Sequence, residues 1–126
     1  MRTKHTRRKI ELIIVSIAII LFGSCFIYLN DYYRASEEVE EYFEKEGTVS
    51  INDIDSGLYL DGPGNENALI FYPGAKVEYT AYVPLMYELA ENGIDVFIIK
   101  MPCNLALLGI NKVEDILSEY SYEHMY

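Results

Sequence analysis

The residues best placed to do chemistry stand in one run, Ala68-Leu69-Ile70-Phe71-Tyr72-Pro73-Gly74-Ala75-Lys76-Val77. An apolar stretch leads into a Pro-Gly corner, and a helix-like pattern follows. A buried strand, tight loop and helix start in this order aim free backbone N–H groups at a point above the sheet edge, as an oxyanion or phosphate site requires. Gly74, Ala75 and Lys76 supply the candidate donors. The plainer alternative is that Pro73-Gly74 only turns a strand into a helix.

Other reactive side chains are scattered. Asp53 and Asp55 have no third oxygen ligand at calcium-loop spacing, so turn and strand-end solvation accounts for both, and no metal or cofactor is expected. Cys103 follows Met101-Pro102 at the end of an apolar run, a place where α/β sheets put ligands. A nucleophilic thiol needs a histidine or other positive charge beside it, so a small buried side chain under the following loop is the expectation. His124 is expected to cap the turn before it and meet solvent, with no partner evident for general-base work. Lys76 and Lys100 read as surface side chains that lay their stems on apolar neighbours. Cys25 and Cys103 are not expected to pair.

The elements that must position these residues can be read from periodicity. Residues 31–46 carry Tyr32, Ala35, Val39, Tyr42 and Phe43 at three- and four-residue spacing among glutamates, which predicts an amphipathic helix stopped by Gly47. Residues 48–54 alternate with period two and predict a half-buried strand; 58–60 predict a second, both at a hairpin-like edge. Residues 68–72 form a continuous apolar run, expected to be a strand buried on both faces. A helix through Tyr79–Ala90, with Pro84 in its first turns and Asn92-Gly93 as its stop, then leads to a parallel strand at 94–99. An apolar connection follows. Asn111 with Glu114 predicts a capping box for a last helix burying Val113, Ile116, Leu117 and Tyr120, and Met125-Tyr126 begins a further strand.

Charge and hydropathy divide the chain. Arg2, Lys4, Arg7, Arg8 and Lys9 precede an uncharged apolar run from Leu12 to Leu29, long enough to span a bilayer. The basic flank is expected to stay in the cytoplasm and the acidic remainder on the far side of the cell membrane, as a single-pass protein. A cleaved signal peptide is the rival reading; run length, Tyr28 at interfacial depth and the lack of a small-x-small site before Asn30 favour the anchor. Gly23-Ser24-Cys25 invites a lipidated cysteine, which Phe22 and the apolar Phe26–Leu29 do not fit. The net charge of −10 excludes nucleic acid as an expected partner and suits an anionic membrane surface. The expected divisions are a basic tail at 1–9, a transmembrane helix at 10–29, an acidic helical spacer at 30–47 and a partial α/β domain at 48–126.

The order of elements resembles the first half of an α/β-hydrolase, closest to membrane-anchored or exported bacterial members. The resemblance rests on Asp61-Gly62-Pro63-Gly64, on the run from Ala68 to Val77, and on Lys100-Met101-Pro102-Cys103-Asn104-Leu105-Ala106 with Gly109-Ile110-Asn111. It implies an α/β fold with a mostly parallel sheet, and hydrolysis of an ester or acyl bond by a serine nucleophile. It also implies an oxyanion N–H from the loop after the third strand, here Gly74, Ala75 and Lys76. The family's Gly-x-Ser-x-Gly elbow, acid and histidine do not occur in that setting among these residues. The chain is therefore expected to be an N-terminal portion of such an enzyme, inactive by itself, with a small-molecule ester as substrate only for a complete chain. The alternative is a non-catalytic membrane-anchored interaction or remnant protein whose open sheet edge takes a protein partner.

Overall fold

A computed structural model describes residues 2–126, and the side chains of residues 4–105 and 108–126. It divides into two units, 1–31 and 32–126. In the first, one helix, α1, runs Arg2–Asn30. The stretch Lys4–Asn30 is long and apolar enough to cross a membrane, a property a signal sequence shares. At 1.5 Å per residue those 27 residues reach about 40 Å, against about 30 Å of hydrocarbon. Helix therefore continues through most of the tail expected at 1–9; Met1 lies outside the described residues.

The second unit is a five-stranded mixed sheet with helices. Its strands are β1 (Ser50–Ile54), β2 (Gly57–Asp61), β3 (Asn67–Phe71), β4 (Ile94–Ile99) and β5 (His124–Met125), in the order β1-β2-β4-β3-β5. The hairpin β1–β2 is antiparallel and joins β4 antiparallel, whereas β3 runs parallel to both β4 and β5. The sheet packs with α2 (Glu38–Glu44), α3 (Val83–Glu91) and α4 (Lys112–Glu119).

Alternation along β4 assigns the two cores. Val96 and Ile98 join Leu58, Leu60, Val83, Met86, Tyr87 and Ala90 on one side; Phe97 and Ile99 join Ala68, Met101 and Ile116 on the other. The register explains the grouping, since Leu58 stands opposite Ile98, Leu60 opposite Val96, and Tyr59 opposite Phe97 with rings stacked at 4.7 Å.

Several expectations change. The spacer helix is helical only over Glu38–Glu44, because the backbone around Tyr33 is extended and bridges Val77. β2 is not an edge strand: it pairs on both sides, and Leu58 and Leu60 are buried. The strand buried throughout from Asp95 to Ile99 is β4, whereas in β3 only Ala68 is, since β5 covers only the start of β3. The capping box is absent: Asn111 makes no side-chain cap bond, and its carbonyl accepts the Glu114 N–H instead. Leu117 is exposed while Ile116 is buried. The strand begun at the C-terminus does form, parallel to β3, with the Tyr126 N–H donating to the Ala68 carbonyl.

Candidate functional site

The candidate loop leaves the C-terminal end of β3 and is shaped by its neighbours. Tyr72 points its hydroxyl at the Gly109 and Ile110 carbonyls, at 3.4 and 3.2 Å, and Pro73 is buried. Gly74 to Val77 then closes a turn, with the Val77 N–H donating to the Gly74 carbonyl at 3.3 Å. Lys76 takes the left-handed conformation at φ 59°, unusual for a residue with a side chain.

The helix expected to begin at Tyr79 starts later. A 3-10 turn covers Tyr79–Tyr82, and α3 begins at Val83 with Pro84 in its first turn. Pro84 has no N–H to continue a helical ladder from residue 80, so regular α-helix starts where that donor is not needed. The loop's N–H groups consequently belong to a turn rather than to a helix N-terminus.

Two of the three candidate donors are engaged. The Gly74 N–H donates to the Tyr82 hydroxyl at 3.3 Å, and the Lys76 N–H donates to the Asn104 carbonyl at 2.9 Å. Ala75 is exposed, and among the described residues its N–H has no acceptor. The expectation of several free N–H groups narrows to one.

The connection after β4 forms the other wall. Cys103 and Asn104 are both left-handed, at φ 54° and 52°. Three non-glycine residues in this region of backbone space therefore sit on two loops joined by the Lys76–Asn104 bond. Contrary to expectation, the Cys103 thiol is exposed: the left-handed turn lifts it out of the following loop. Lys100 is exposed and lies 5.6 Å from the centre of the Tyr79 ring. Burial, with Asp53 and Glu78 nearby, holds the Tyr79 phenol above its ordinary range.

The remaining candidates lie elsewhere. His124 is exposed and pairs with Asn67, at the start of β3, so the length of that strand separates it from the loop. Ser56 is buried in the β1–β2 turn, and the Ser118 hydroxyl donates to the Asp115 carbonyl. Among the described residues no three His, Cys, Asp or Glu side chains gather as metal ligands.

Sequence reading missed the molecule's main buried polar cluster. Asp95, 2% exposed, accepts from the Gly62 N–H at 2.8 Å, the Tyr122 hydroxyl at 2.7 Å and the Tyr59 hydroxyl at 3.1 Å. Tyr59 and Tyr122 hydroxyls are also 2.8 Å apart. Burial first, and the Asp95 carboxylate with it, pushes both phenols upward; for Tyr59 the bond with Tyr122 opposes this. A lone carboxylate inside the apolar run Ile94–Ile99 was the available signal, because such a group must find donors. It stands opposite Ala68, towards the start of the parallel strands, and so holds the sheet together at the end away from the loop.

The family model described as "Alpha/beta hydrolase family" matches residues 68–126. The match covers fewer than half of the 126 residues, and over that segment the chain is similar to the family. The segment contains the loop, α3, β4, the left-handed pair, α4 and β5. Neither the comparison with curated proteins nor that with solved structures returns a match. In the alpha/beta hydrolase arrangement one oxyanion donor comes from the loop after the third strand and the other from the residue after the nucleophile.

Proposed function

We propose that the chain contributes the first half of a membrane-tethered serine hydrolase domain, acting on an ester or acyl bond, with Ala75 N–H as its oxyanion donor and Gly74 and Lys76 framing it. The supporting observation is that Ala75, in the loop after β3, is exposed with no acceptor for its N–H among the described residues, within a segment that matches the alpha/beta hydrolase family model. The apolar α1 is read as the anchor, with the basic end cytoplasmic and the domain outside. Nucleophile, acid and base would come from residues outside these 126, since none stands here in the family setting.

A single oxyanion donor stabilises a tetrahedral intermediate but supplies no attacking group. The 126-residue chain should therefore hydrolyse p-nitrophenyl acetate no faster than background and take up no fluorophosphonate probe. Probe attached to any of its serines would contradict the proposal.

The second reading, a non-catalytic interaction protein, draws on the acceptors already bound to Gly74 and Lys76. Under it the turn is only a turn, and the edge of β3 beyond β5 takes a strand from a protein partner. The two readings differ in whether the Ala75 N–H meets an anion.

A further inference from the structure

The turn carrying Ala75 is held from both sides by elements that no step above required. On one side the extended segment Tyr33–Ala35 lies along it. The Tyr33 N–H donates to the Lys76 carbonyl at 2.8 Å, the Glu78 N–H donates to the Tyr33 carbonyl at 2.8 Å, and the Ala35 N–H donates to Glu78 Oε2 at 3.0 Å. On the other side the Asn104 carbonyl takes the Lys76 N–H. Both backbone groups of Lys76 are thus engaged, and its left-handed conformation is fixed by partners distant in sequence. A non-glycine residue in that conformation is strained and persists only where surrounding contacts over-determine it.

We propose that Glu78 and Asn104 are positioning residues for the candidate oxyanion turn, an inference that rests on the hydrolase reading above. Glu78 acts with its side chain, fastening the Tyr33–Ala35 strap. Asn104 acts with its backbone, and its residue type matters because asparagine tolerates a left-handed conformation that β-branched residues resist. With Lys76 fastened at both ends, the neighbouring Ala75 is exposed and its N–H has no acceptor among the described residues.

Amide hydrogen exchange on the full chain in phosphatidylcholine nanodiscs tests this. Glu78→Ala should speed exchange at the Glu78 amide and at Ala35 about tenfold, the effect of losing one hydrogen bond, with β4 amides unchanged. Glu78→Gln keeps an acceptor and should stay within about twofold of the parent. Asn104→Val should speed the Lys76 amide by a similar factor, whereas Asn104→Gly should not. Glu78→Ala or Asn104→Val indistinguishable from the parent, or Glu78→Gln as fast as Glu78→Ala, would overturn the proposal. The response of the Ala75 amide to dimethyl phosphate is read separately on the parent chain. If exchange follows the expected pattern while that amide ignores the anion, the strap stands and the oxyanion reading falls.

Discussion

Asp95 shows how much one residue can settle. Its carboxylate is shared by a backbone N–H at the end of β2 and two phenols, one from β2 and one from the segment entering β5. Asp95→Ala would remove the acceptor of the Gly62 N–H and leave the two phenols only each other, and we expect a loss of about 3 kcal/mol in chemical denaturation. Tyr122→Phe should cost less, about 1.5 kcal/mol, because Tyr59 and Gly62 still donate to the carboxylate. The phenols also give a pH dependence. Their folded pKa values are raised, so the neutral form favours the folded chain; this stabilisation is complete below the unfolded tyrosine value of about 10 and is lost as pH rises beyond it. In an ultraviolet titration Tyr59 and Tyr122 should ionise only together with unfolding. Ionisation of Tyr59 and Tyr122 near pH 10 in a still folded chain would contradict this.

At the scale of elements, close backbone approach explains where substitution is not tolerated. An added Cβ at Gly57, whose φ is 149°, would stand 2.0 Å from the Ile98 carbonyl oxygen of the neighbouring strand. Gly57→Ala should therefore destabilise the sheet at or beyond the upper end of the ~1–3 kcal/mol usual for overpacking, as a denaturation midpoint would show. The strands and α3 were legible because apolar periodicity and Gly/Pro punctuation are local properties of sequence. What escaped depends on distant partners. The Tyr33 strap replaced a predicted helical turn because its backbone found Lys76 and Glu78, more than forty residues away, and period-counting cannot see that competition. Left-handed Cys103 and Asn104 escaped for the same reason. The loop itself was found from Pro73-Gly74, but which of its N–H groups stayed unbonded depended on Tyr82 and Asn104.

For the whole molecule, an apolar helix long enough to cross a membrane precedes a segment similar to the alpha/beta hydrolase family. If α1 is an anchor, the expressed chain should remain with membranes after alkaline carbonate extraction, and removal of residues 1–30 should release it. Appearance of the intact chain in the carbonate supernatant would count against the anchor. The most direct test of the central claim is titration of the 15N-labelled chain with dimethyl phosphate, a tetrahedral anion without a leaving group to lose. The account predicts a saturable downfield shift of the Ala75 amide, larger than at Gly74 or Lys76, whose N–H groups are already engaged. An Ala75 amide that stays in place while anion is added to saturation would contradict it.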